Sequence, residues 1–294
     1  MKPAPFEYFA PTDLPEALAL LAQYGDEAKL LAGGQSLMPL MNMRLARPQV
    51  IIDINRLAEL AYIAPTPEGG FAIGALTRQR AVERSSLVHD RHPLLAAAMP
   101  LIGHVQIRNR GTVGGSIVHA DPAAELPALS LALEAEFVLQ SATQQRVMQA
   151  EEFFVTYLTT AIGPVELLTE VRLPPWTREW GWGLREVCRR EGDFAIVGAV
   201  SLLQIDDRDT CQAARLTMFG VGATPIRSRR AEEVLRGRPL HGKALDEAAK
   251  AVSEELQPDA DLHASAVYRK EVGGVLARRT LEMALMQVKG GSGA

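Results

Sequence analysis

Twice in this chain a glycine pair sits in the same setting, in "LLAGGQSL" (30–37) and in "GTVGGSIV" (111–118). Each pair follows an apolar or β-branched couple, Leu31-Ala32 or Thr112-Val113, and precedes a serine, Ser36 or Ser116. A glycine pair between ordered segments either makes a turn or lets the backbone approach a ligand where a Cβ would obstruct. Consecutive glycine N–H groups beside a hydroxyl form a concave set of donors suited to phosphate oxygens. Two such loops, brought together, would clamp a pyrophosphate. Neither is a GxxxxGK[ST] loop and neither fits GxGxxG. On this reading a valine at Gly33 or Gly114 blocks the ligand and spares the fold. The pair Gly69-Gly70 follows "PTPE" and reads as a hairpin turn, where a valine would leave binding unchanged. Gly273-Gly274 lies in a helical pattern and suits close helix packing, and Gly290-Gly291 belongs to the terminal "KGGSGA".

The segment after the second loop, "VHADPAAELP", places Asp121 and Glu125 close to Gly115. A carboxylate there can accept hydrogen bonds from ribose hydroxyls. Asp121, just before Pro122, equally suits an N-cap of "PAAELPAL".

With 294 residues the chain can bury a large core and form two domains. A hydrophobic share of 47% and a charged share of 22% describe a soluble globular protein, and a net charge of −4 gives no electrostatic case for nucleic acid. The two cysteines, Cys188 and Cys211, lie far apart, which excludes a disulfide framework and an iron–sulfur or zinc centre held by this chain's own thiolates. So few thiols suit a reducing cytoplasm. The N-terminus shows no apolar targeting core, and the longest uncharged stretch, between Arg91 and Arg108, holds two prolines and two histidines and does not span a membrane.

The runs "AKLLAG" (28–33), "QVIIDI" (49–54), "GFAIGALT" (70–77), "AEFVLQ" (135–140) and "VELLTEVRLPPW" (165–176) read as strands; 14–25, started by Thr12 or Asp13, and 93–103, interrupted by Pro100, read as helices. The second loop reads as a Gly-rich turn leading into a helix of small residues. Beyond "LPPWTREW" (173–180) come three strand-like runs, 182–189, 194–205 and 213–222, then helices at 227–236, 243–256 and 263–288. Strands first and helices after is an α+β pattern. The expected division is 1–175, with parts at about 1–57 and 58–175, then 176–289 with a three-stranded sheet plus helices, then a flexible tail at 290–294.

His89 and His92 lack a third metal ligand in sequence, and His119 fits either a flavin edge or a core position. Met38, Met41 and Met43 suit core or interface packing. No Ser/His/Asp or Cys/His arrangement stands out, so no catalytic residue and no metal ligand is assigned.

Taken together, "AGGQSLMPLMNMRLARPQVIIDI" and "IRNRGTVGGSIVHADPAAELPAL" resemble the FAD-binding medium subunit of molybdenum hydroxylases, the carbon monoxide dehydrogenase and xanthine dehydrogenase kin. The resemblance extends through "LLTEVRLP", "REVCRREGDFAIVGAVSL" and "ASAVYRKEVGGVLARRTLEMAL", and so spans nearly the whole chain. It implies an FAD-binding domain of the vanillyl-alcohol-oxidase-like (PCMH) type followed by a small α+β C-terminal domain. It also implies a first FAD loop of Leu31, Ala32, Gly33, Gly34, Gln35, Ser36 and Leu37 and a second of Thr112, Val113, Gly114, Gly115 and Ser116. Glu125 stands where the family has a carboxylate near the adenosine ribose, Ile102 and Leu168 where apolar side chains line the ring systems, and Arg185 where a lysine is common.

Such subunits work with a large subunit carrying a molybdopterin cofactor and a small subunit carrying two iron–sulfur clusters, in a heterotrimer or its dimer. FAD in the medium subunit takes electrons from the clusters and passes them to an external acceptor. A competing reading is a stand-alone flavin oxidase or reductase, which needs a polar constellation in 176–289 that the sequence does not show. Another is a nucleotide-binding scaffold that has lost flavin.

Overall fold

The computed structural model describes residues 2–291. The apolar runs 28–31 and 50–53 are joined through a helix rather than by a tight turn, and they pair in parallel. Strands β1 (Glu7–Phe9), β2 (Ala28–Leu31) and β3 (Val50–Asp53) form a parallel sheet in the order β1-β3-β2, with Leu30 opposite Ile52 and Leu31 opposite Asp53. Helix α1 (Leu14–Tyr24) covers it with Ala17, Leu18 and Leu21. Its cap is Asp13, whose side chain accepts from Glu16 N at 2.9 Å. The short α2 (Leu37–Asn42) connects β2 to β3.

A second sheet is antiparallel, in the order β4-β5-β10-β6-β7, from Ile63–Pro65, Phe71–Gly74, Leu167–Leu173, Glu136–Gln140 and Gln145–Gln149. Between β5 and β6 run α3 (Gln79–Arg84), α4 (Ser86–Arg91), α5 (Pro93–Ala98), α6 (Val105–Arg110), α7 (Val113–His119) and α8 (Glu125–Ala132). Pro100 ends the α5 pattern in a single 3₁₀ turn. Helix α9 (Ala150–Phe153) and the small hairpin of β8 (Phe154–Thr156) and β9 (Thr159–Thr160) close this unit. Phe71, Ile73 and Phe137 of the sheet meet Leu94, Met99, Ile117 and Leu129 of the helices in one buried core.

The C-terminal unit holds the antiparallel sheet β11 (Gly181–Val187), β12 (Val197–Ile205), β13 (Cys211–Phe219) and β14 (Ile226–Arg227). The three expected strands are joined by this short fourth, because Ile226 and Arg227 continue the ladder on Met218 and Thr217 before the next helix starts. Helices α10 (Arg229–Leu235), α11 (Gly242–Glu255) and α12 (Ala266–Gly291) lie on one face. Strand β12 is mostly apolar because both its faces are buried: Val197, Ala199 and Leu203 pack under the helices, and Val200 and Leu202 join the core of the preceding unit. Helix α12 rests directly on the β11 backbone, since a Cβ at Gly181 or Gly183 would lie 2.1 Å from the carbonyl oxygen of Ala284 or Thr280. Buried Ser201 and Thr280 join their hydroxyls at 2.6 Å across that contact.

Two expectations change here. Gly114 and Gly115 are not in a turn: they form the first turn of α7, because Thr112 caps that helix through Gly115 N at 3.1 Å. The terminal segment is helical through Gly291, with Lys289 paired to Asp209 at 2.7 Å, and residues 292–294 of the expected tail lie outside the described residues. Among the described residues no helix is long and apolar enough to cross a membrane.

Candidate cofactor site

Strands β2 and β3 end side by side, and the chain leaves both at the carboxyl edge of a parallel sheet, the usual place for a ligand in such sheets. The segment leaving β2 is Ala32–Ser36. Gly34 holds φ +71, a left-handed conformation that glycine adopts without penalty. The backbone N–H groups of Gly33, Gly34, Gln35, Ser36 and Leu37 donate to no acceptor among the described residues, while the carbonyls of Ala32, Gly33, Gly34 and Ser36 are bonded. Five consecutive free donors are an anion cradle.

The second loop is built differently. Val113 N donates to Thr77 O, Gly114 N to Ala75 O at 2.8 Å, Gly115 N to the Thr112 hydroxyl and Ser116 N to Thr112 O. These donors are already used, so the second glycine pair is no second nest. Its glycines allow close packing instead. A Cβ on Gly114 would lie 2.5 Å from Ala75 Cβ, and one on Gly115 would lie 3.7 Å from Ala32 Cβ, across from the first loop. Gly33 in turn has its Cα against the end of α6, where a Cβ would come within 2.6 Å of Arg110 O. The two loops do meet, through close backbone approach rather than through matching donor nests.

Other residues singled out in the sequence fall as follows. Ser36 and Ser116 are half-buried at the two loops, and the Gln35 side chain turns back to donate to Gly33 O at 3.0 Å. Ile102 and Leu168 are buried in the core of the second unit. Asp121 accepts from Ala123 N at 2.9 Å and shapes the turn that leads to α8, which starts at Glu125 and not at Pro122. Arg185 is exposed, and strand alternation puts it on the α12 face of β11 with Gly181 and Gly183. The residue of that strand that turns toward Glu125 is Glu186, which the sequence reading passed over.

Glu125 is 4% exposed. Burial first, then the neighbouring Glu186 and Asp121 carboxylates, push its pKa up to about 8. Burial likewise raises Glu186 to about 7, and one of its carboxylate oxygens has no hydrogen-bond partner. Each group binds its proton more tightly folded than unfolded, so between about pH 4.5 and 8 the folded chain holds more protons. Stability without ligand is therefore expected to fall as pH rises across that window, by on the order of a few kcal/mol. Thermal unfolding of the apoprotein at pH 5 and pH 8 measures this, and Glu125→Gln should flatten the difference. A melting temperature that rises toward pH 8 would contradict it.

Beyond Asp121 opens a cavity of about 680 Å³ between the second unit and the C-terminal unit. Arg189, Asp193, Asp261, His263 and Arg269 line it from the C-terminal side, with the exposed Phe194 at its edge. Arg269 is buried and donates to Ile196 O, Gly220 O and Asp261. No polar constellation in 176–289 is legible in sequence because these side chains come from three separate segments, 189–194, 261–263 and α12. Among the described residues no group of three His, Cys, Asp or Glu could hold a metal ion.

The residues fit an extended dinucleotide whose pyrophosphate needs donors at the first loop and room beside both. Residues 4–176 match the family described as the FAD binding domain in molybdopterin dehydrogenase, and residues 182–284 match the CO dehydrogenase flavoprotein C-terminal domain. The chain belongs to the FAD-binding medium subunits of molybdenum hydroxylases, and it is an oxidoreductase subunit whose cofactor is FAD. Among its relatives is the 6-hydroxypseudooxynicotine dehydrogenase complex subunit alpha of Paenarthrobacter nicotinovorans, 42% identical over 98% of this chain and 97% of that one. The carbon monoxide dehydrogenase medium chain of Hydrogenophaga pseudoflava is 38% identical over 97% and 98%. A solved carbon monoxide dehydrogenase structure from that organism superposes with a TM-score of 0.94 at 38% identity, covering 98% of this chain and 99% of that one.

Proposed function

We propose that this chain receives electrons from two iron–sulfur clusters on a small partner subunit and delivers them through FAD to an external acceptor. A large subunit with the molybdopterin cofactor oxidises the substrate, in a heterotrimer or its dimer. The observation that carries the reading is the row of free N–H groups from Gly33 to Leu37, in a chain that matches this family over residues 4–176 and 182–284. Bound FAD supplies reversible electron transfer; the protein supplies binding, orientation and electrostatics.

In this reading the first loop donates to the pyrophosphate. Gly115 and Ser116 border it on the side of Ala32. Glu125 faces the adenosine ribose, and Ile102 and Leu168 give apolar support. The cavity beyond Asp121 takes the flavin ring, its volume being in the range of about 300–1,000 Å³ common for such ligands. No residue of the chain is assigned as a general acid or base. Exposed apolar side chains supply surface for the partners: Met43 and Leu45 after α2, and Val267, Val275 and Met286 along α12. Met41 is not among them, because it is 1% exposed and belongs to the core.

A second reading, a stand-alone flavin oxidase or reductase, draws on the polar lining of the cavity, which is where a substrate of its own would sit. The two separate in one experiment. Protein purified from its source under native conditions is expected to carry iron and molybdenum on two co-purifying chains and to reside in the cytoplasm. The isolated chain loaded with FAD should not be reduced by organic substrates of the complex. A lone monomer with full enzyme activity would establish the stand-alone reading instead.

A further inference from the structure

The first loop owes its donor row to where its carbonyls point. In a trans peptide the C=O of one residue and the N–H of the next face opposite ways, so an anchor on a carbonyl aims the following N–H. Gly34 O accepts from Met38 N at 3.1 Å and Ser36 O accepts from Leu40 N at 3.2 Å, which aims the N–H groups of Gln35 and Leu37. The Gln35 amide on Gly33 O aims Gly34 N–H. The anchor on Ala32 O comes from outside the loop. Asn55, just past β3, donates through Nδ2 to Ala32 O at 2.7 Å and reaches Leu31 O at 3.3 Å.

Asn55 is itself held from the second unit. Arg78 donates from Nη2 to Asn55 Oδ1 at 2.6 Å and from Nη1 to Arg110 O at 2.5 Å. Arg110 O is the atom that abuts Gly33. The Arg78 backbone bridges to Thr112, and Gln79 N donates to Gly111 O at 2.9 Å. One residue is thus fixed by its main chain to the second loop and by its guanidinium to both groups that bracket the first. The fork geometry of arginine serves two diverging acceptors, which a lysine ammonium on a flexible stem does not reproduce. Asn55 must accept on one side and donate on the other, which an aspartate cannot do.

We propose that Asn55 and Arg78 form a strap that sets the spacing of the two loops and turns the first loop's donors toward the pyrophosphate. This rests on the reading that residues 33–37 bind the pyrophosphate. They are positioning residues for the cofactor site, and their bond joins the two units that hold it.

The test uses the apoprotein with FAD and with ADP, which carries a pyrophosphate and no flavin. Affinities are measured by flavin fluorescence and by competition for Asn55→Asp, Arg78→Lys and the double variant, with circular dichroism and melting temperature on each. Both single variants should fold and lose tenfold or more in affinity for FAD and for ADP. The double variant should be little worse than either, since the two residues act as one unit. FAD and ADP affinities within twofold of the parent in folded variants would overturn the strap. So would an Arg78→Lys chain that does not fold, since the role would then be structural. A parent that binds FAD but is blind to ADP would instead overturn the pyrophosphate reading of the loop, and the strap with it.

Discussion

Valine at position 114 is expected to destabilise the folded protein by about 3 kcal/mol or more, the upper part of the range for overpacking a tight interior. A Cβ there would lie 2.5 Å from Ala75 Cβ and 2.8 Å from Ala75 O, and Gly114 N already donates to that oxygen. Neither neighbour is a flexible side-chain tip that can swing aside, so relief requires moving the backbone of α7 away from β5. Loss of FAD binding would then follow from loss of the fold. Denaturant unfolding of the apoprotein measures the effect, and a folded Gly114→Val chain of parental stability that had only lost FAD would contradict it. Gly70→Val is no neutral control, because its Cβ would meet Leu173 O at 2.2 Å in the neighbouring strand.

This is where sequence and structure part. The repeated glycine pair with a serine close behind suggests two equal phosphate loops. The difference lies in what each packs against: Ala75 is 39 positions before Gly114, and the Thr112 cap takes up the donor that a nest would offer. What was legible came from local pattern, namely strand runs, the hairpin at Gly69-Gly70, the final helices, and the order of motifs that marks the family. Asn55 had one readable signal, its position directly after an apolar strand that pairs with the strand feeding the first loop. Arg78 had none, because its value depends on two groups from different segments, the Arg110 carbonyl and the Asn55 amide oxygen, meeting at its guanidinium. Glu186 was hidden for a similar reason. Strand alternation turns it, and not Arg185, toward Glu125, and that face is known only once α12 is seen on the other.

We propose that the FAD pyrophosphate lies at the row of donors from Gly33 to Leu37, with FAD held across both loops. FMN lacks the bridging pyrophosphate and the adenosine that Glu125 would face. Two charge-assisted hydrogen bonds at roughly 1.5–3 kcal/mol each amount to a loss of about two orders of magnitude or more in affinity. The direct measurement is a titration of the apoprotein with FAD and, separately, with FMN, followed by flavin fluorescence and visible absorbance. One FAD per chain is expected, with FMN bound at least about 100-fold more weakly. Equal affinity for FAD and FMN would contradict it.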